Sequence, residues 1–243
     1  MGEVIRADWY DLADDSRAET LDWLNTVYFP AVQALPGIAW VGHYSIVQKS
    51  GKPPTPGSPP RNTVSDPSVP TGGEYLMLTA ATAPDIFIMA DSALARLEDE
   101  LAERLGRRIG HRRAVFIQEC AVNGPEYGAC LPGTGPAPAV QLGNLNAASI
   151  EAELELARFY RMLRFPQVST TEGCIGARKL VSILGWGKHG ILYEFTSMHD
   201  DEELFEMRFE RAPLSSRPPL RHVLHYVIHG PRGPAAGRRI WPE

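Results

Sequence analysis

Two stretches constrain this chain more than any others: PGIAWVGHYSIV (residues 36 to 47) and EGCIGARKLVSI (residues 172 to 183). Each follows a run whose apolar residues recur at helical spacing, and each becomes a β-rich run after a glycine. Each is also followed by a second short β-rich run, YLMLT (75 to 79) in one case and ILYEFT (191 to 196) in the other. A supersecondary order that restarts after some 135 residues predicts an internal duplication. Few letters are shared, so the repeat rests on order and spacing.

The first copy reads βαββαβ. Residues 3 to 11 form a strand. Leu21, Leu24, Val27, Tyr28, Ala31, Val32 and Leu35 mark a helix that starts near Ser16 and Glu19, a capping-box pair. Pro36-Gly37 stops it, and Pro30 predicts a kink or an early end. Strands follow at 38 to 48 and 74 to 81, a helix from Ala83 to about Arg107, and a strand at 111 to 121. The second copy has strands at 139 to 145, 173 to 184, 190 to 197 and 222 to 229. Its helices run from Ser149 to Pro166 and from Asp200 to Arg211. Residues 50 to 73 are rich in proline and glycine and read as a loop, either disordered or a cover. The expected division is 1–122 (first repeat), 123–138 (linker), 139–230 (second repeat) and 231–243 (a tail whose Ile240 and Trp241 dock). The expected fold class is α+β, with two tandem βαββαβ repeats.

The matching features are a strand ending in WY, a helix running into YFPAVQALPGIAWVGHYSIV, and a Tyr-containing third strand. With these in view, the chain resembles the dimeric α/β-barrel superfamily of ferredoxin-like domains. That superfamily includes EthD-like proteins, cofactor-free monooxygenases, lactone isomerases, dye-decolourising peroxidases and chlorite-dismutase-like haem proteins. The resemblance implies a barrel made by one chain, a possible homodimer, and chemistry that the fold alone does not settle.

A net charge of −5 and the lack of a long basic run argue against a nucleic-acid partner. The arginine pairs at 107–108, 112–113 and 238–239 read as solvated ends of elements. No run of 18 apolar residues and no signal-peptide core occur, which predicts a cytoplasmic protein without membrane contact. Cys120, Cys130 and Cys174 form no CxxC and are expected as reduced thiols. There is no GxSxG, Walker loop, HExxH or GxGxxG.

His43 is the candidate base for an acidic C–H or phenol, with Trp9, Trp40, Tyr44 and His225 as candidate substrate-binding residues. The strand's period of two separates Trp40 and Tyr44 from His43, and one of these sets should line a cavity. Core packing of the aromatics is the competing reading. RHVLHYVIHG tempts a metal reading through His222, His225 and His229. In a strand, however, His225 and His229 lie about 13 Å apart at ~3.3 Å per residue. No metal site is expected. The leading expectation is an enzyme without a tightly bound cofactor, an oxygenase, isomerase or cyclase, acting on a small apolar or aromatic metabolite in the barrel. The alternatives are a non-catalytic binding or structural barrel, or a haem protein using one of these histidines as axial ligand.

Overall fold

The computed structural model describes residues 3–47, 62–129, 135–198 and 226–243. The first copy contributes β1 (Val4–Asp11), β2 (Ile38–Ile46), a two-residue β3 (Asn62–Thr63), β4 (Tyr75–Ala81) and β5 (Ile109–Asn123). The second contributes β6 (Ala139–Ala147), β7 (Cys174–Leu184), β8 (His189–Phe195), β9 (Val227–His229) and β10 (Ala235–Trp241). In the first half the strands lie in the order β2-β4-β1-β5, and in the second β7-β8-β6 followed by β9 and β10. Both orders are those of a βαββαβ unit. The fourth strand of each half pairs antiparallel with the second strand of the other, β5 with β7 and β10 with β2. Those two seams close eight strands into a barrel. No open sheet edge remains around the ring, which blunts edge-to-edge association.

The helices confirm the repeat. In the first half α1 (Arg17–Trp23) runs through a π-helical turn (Leu24–Tyr28) into α2 (Phe29–Gln33). In the second, α6 (Ile150–Phe159) runs through a π-helical turn (Tyr160–Arg164) into α7 (Phe165–Val168). Each π turn is followed by Phe-Pro. The expected break at Pro30 is therefore absent. Inserting one residue before the proline moves its ring off the preceding turn and removes the need for its missing N–H. Gly37 and Gly173 each sit eight residues after that phenylalanine with φ of 83° and 75°, a backbone state that favours glycine and turns the chain into β2 and β7.

Between β4 and β5 the expected single helix is three: α3 (Asp85–Ile88), α4 (Ala93–Glu100) and α5 (Ala102–Leu105). Met89 is extended, and Ser92 starts the next helix by accepting a hydrogen bond from the Ala95 N–H at 3.1 Å. Ser149 caps α6 in the same way, as its sequence position suggests. Ser16 stands at the start of α1 but makes no side-chain cap bond. The expected helix at 200–211 lies outside the described residues.

Alternate residues of each strand face inward or toward the helices. Trp9, Trp40, Tyr44, Leu76, Leu78, Phe116, Leu142, Leu180 and Leu192 face inward and form one cluster. Trp9, Tyr44, Leu76, Leu78 and Phe116 each expose 1% of their surface or less. A space open to solvent would leave surface on these side chains, so the barrel centre is packed. Arg112 closes one end. It lies 4.5 Å from the Trp9 ring and donates to the carbonyls of Gly72 (2.6 Å) and Pro231 (3.1 Å). Residues 235–241, read from sequence as part of a tail, are instead the strand β10 that closes the barrel against β2 and β6. Among the described residues, no helix is long and apolar enough to cross a membrane.

Candidate functional site

The helix-facing side of each sheet carries a polar cluster, and the shared topology makes the two comparable. Across the first sheet Asp8, Met77 and His43 are paired in one row and Tyr10, Tyr75 and Ser45 in the next. Across the second the matching rows are Gly143, Ile191, Lys179 and Leu145, His189, Val181. His43 therefore corresponds to Lys179, and Tyr75 to His189. The match extends to the seams. Trp241 of β10 lies opposite His43 with Ile240 as an extra, bulged residue, and Cys120 of β5 lies opposite Lys179 with Glu119 as the bulged residue.

In the first half the site is filled. His43 exposes 0% of its surface, and its Nε2 lies 2.7 Å from the Tyr10 hydroxyl. Its ring stacks on Tyr10 and Tyr75 and is 4.8 Å from that of Phe29. Phe29 in turn packs against Trp241. Burial pushes the His43 pKa down to about 3, and burial raises that of Tyr10 well above its ordinary value. Both groups are therefore uncharged and share one hydrogen bond. Trp40 and Tyr44 point the other way, into the packed barrel. The expectation that His43 shares a cavity with them is corrected by the pleat, since a shift of one residue along a strand reverses the face.

Beside this cage, still in the first half, lies a closed charge network. Asp8 exposes none of its surface and accepts from Arg6 (2.7 Å), His111 (2.7 Å) and Arg113 (2.8 Å). Glu98 accepts from Arg6, from Arg113 and from the Tyr28 hydroxyl at 2.6 Å. Burial alone would raise the carboxyl pKa of Asp8, but Arg113, Arg6 and His111 outweigh it and hold the group well below its ordinary range.

In the second half the equivalent place holds different groups. His189 is 5% exposed, and neither of its ring nitrogens has a hydrogen-bond partner. Burial lowers its pKa and Lys179 lowers it further, with Glu153 opposing. The ring is neutral at pH 7. The Lys179 side chain is 3% exposed and its ammonium is held by the carboxylate of Glu119, whose side chain is 39% exposed. A second pair, Lys188 with Glu153, stands on the other flank. Ile117 pairs with Val181 in the His189 row and is exposed, while Cys120 and Val181 are half-buried. The β5–β7 seam is thus an apolar strip open to solvent, with a cation and an unbonded imidazole beside it. Burial and Glu119 push the Cys120 pKa up, so Cys120 is a thiol and not a ready nucleophile.

The candidates read from sequence are scattered by this arrangement. Trp9, Trp40 and Tyr44 lie inside the barrel, and His43 lies outside it. His225 and His222 lie outside the described residues. Among the described residues, no group of three or more His, Cys, Asp or Glu side chains could hold a metal ion. His43 is enclosed by Tyr10, Phe29 and Tyr75, and His189 stands between two ion pairs. His189 was missed because Gly185 to Gly190 reads as a turn, whereas His189 opens β8. Glu119 and Lys179 carried no sequence signal as a pair.

No protein-family model and no curated protein matches the sequence. Solved structures do. An anthrone oxidase-like protein aligns with a TM-score of 0.57 at 8% identity, covering 98% of this chain and 91% of that one. A chlorite dismutase-like protein aligns at 0.54 and 12% identity, covering 99% and 96%. A monooxygenase-like protein from Fusobacterium nucleatum aligns at 0.54 and 6% identity, covering 98% and 92%. The fold is an α/β barrel of the kind these structures share. At these identities the likeness concerns architecture, and the whole of it is spanned by this single chain.

Proposed function

We propose that the protein is a small-molecule enzyme whose site lies along the β5–β7 seam on the outer face of the second sheet, with His189 as its proton acceptor. The substrate class is an aromatic or apolar metabolite bearing a weakly acidic C–H or O–H. The observation that carries this reading is His189 itself, a neutral imidazole, almost wholly buried, with two free ring nitrogens. An unbonded polar group in such a place is costly unless something else uses it. A proton taken from substrate by His189 would leave an anion in the field of Lys179, which would stabilise it. The packed barrel centre removes the interior as the place of this chemistry.

Anthrone is a suitable first probe, since its ring methylene loses a proton to give an aromatic enolate that reacts with O2. One anthrone and one O2 then yield anthraquinone and one water. Oxygen uptake above the protein-free rate is expected, and His189→Gln should lower it by about a hundredfold, the usual weight of a positioned base. An unchanged rate in His189→Gln would overturn the assignment. A non-catalytic carrier that uses the same seam would bind aromatic acids without any His189-dependent turnover.

A further inference from the structure

We infer that the β5–β7 seam takes an anionic ligand, a small aromatic or apolar acid, whose carboxylate or phenolate replaces Glu119 on Lys179. This deepens the reading above and rests on it for the location of the site. The argument starts from the seam. Cys120 pairs with Lys179 and Gln118 with Leu180, so Glu119 is an extra residue in β5 with no partner of its own in the ladder. A bulge of this kind re-aims a side chain. Here it carries a carboxylate onto the ammonium of a side chain that is 3% exposed, while the Glu119 side chain is 39% exposed.

The asymmetry matters. A buried ammonium without a counter-charge is unstable, whereas an exposed carboxylate that lets go is simply hydrated. Lys179 therefore requires some anion, and Glu119 is the member that can leave. The groups around the exchange suit an organic acid. Ile117 and Val181 offer apolar surface next to the cation, and His189 lies in the same row as both. At the matching bulge of the other seam, Ile240 stands where Glu119 stands, Trp241 where Cys120 stands and His43 where Lys179 stands. Neither a buried cation nor a removable carboxylate exists there, so the exchange belongs to the second half alone.

The test is calorimetric titration of the full chain with benzoate, and with benzamide as its neutral isostere. Glu119→Gln should bind benzoate at least about fivefold more tightly than the wild type, because the internal competitor is gone. Lys179→Met should lose benzoate binding, and benzamide should not distinguish the three proteins. Glu103→Gln, on α5 of the first half, controls for net charge and should leave benzoate affinity unchanged. Equal or weaker binding by Glu119→Gln, equal gains in Glu119→Gln and Glu103→Gln, or benzamide binding as well as benzoate would each overturn the inference. His189→Gln separates it from the enzyme reading. If that variant keeps full turnover while the benzoate pattern holds, the proton-acceptor role fails and the anion exchange stands.

Discussion

The two outer faces carry polar clusters at matching places on matching sheets, yet among the described residues only the first is closed by a network of ion pairs. In the first, β1 supplies Arg6 and Asp8, β5 supplies His111 and Arg113, and α4 supplies Glu98, so every charge has an opposite charge beside it. Phe29, Tyr10 and Tyr75 then fill the space around His43, and Trp241 packs onto Phe29. In the second, Gly143 stands where Asp8 stands and Gln141 where Arg6 stands, and the network has no counterpart on β6. What remains is a lysine with a borrowed carboxylate and a histidine with no bond. A duplicated fold can keep one copy as support and leave the other free for a ligand. The difference here lies in which copy has its charges closed into a network.

That contrast can be broken in three ways. The largest effect is expected at Asp8. Asp8→Asn leaves Arg6 and Arg113 buried against a neutral group and should cost about 3–5 kcal/mol of unfolding free energy, read by urea denaturation. Lys179→Met, its counterpart in the second half, should change stability by less than about 1 kcal/mol, since Glu119 is then hydrated. Comparable losses in the two variants would mean that both clusters are structural.

Acid should act mainly through the first cluster. With the His43 pKa pushed down to about 3, the folded state resists a proton that the unfolded chain binds from about pH 6.5. His43 thus contributes nothing against folding above that value. Stability should fall as pH drops from 6.5 toward 3, by roughly 2–4 kcal/mol. His43→Gln should flatten that limb of the curve, and a wild-type slope in the variant would exclude His43 as its source.

A smaller effect is expected where Trp241 closes the first cluster. Trp241→Ala should cost roughly 2 kcal/mol, below the range for a fully buried tryptophan because this one is half-buried. The same change should expose His43 to solvent, visible as faster exchange of its ring protons by NMR. No change in that exchange would show that Phe29 and Tyr75 shut the cage without Trp241.

Much of the architecture was legible in the order of elements. The strands near 38, 75, 139, 174 and 190 follow from β-rich runs bounded by glycine and proline, and Ser149 marks its helix because a hydroxyl there satisfies an otherwise unbonded N–H. The duplication was written in letters as well, in FPAV (29 to 32) and FPQV (165 to 168), each eight residues before a glycine of positive φ. The final strand was misplaced in part because HVLHYVIH looks more β-like than AAGRRIW. Only pairing with β2 and β6 on both sides makes a strand of the latter.

The site was another matter. Periodicity by itself determined the order of strands and helices and which residues of a strand share a face, while the resemblance to the barrel superfamily implied that two sheets bury one face against each other and the other under helices. They could not tell which of two faces held a cavity, because both are apolar. Nor could they tell that the interior would fill, since packing depends on the summed volumes of side chains from eight strands. The meeting of Lys179 with Glu119, 60 residues apart, and the lack of any partner for His189 are products of register and of one bulge. Those depend on how distant strands align, and the physical reason is that a β-ladder is a long-range contact whose slip by one residue exchanges the two faces.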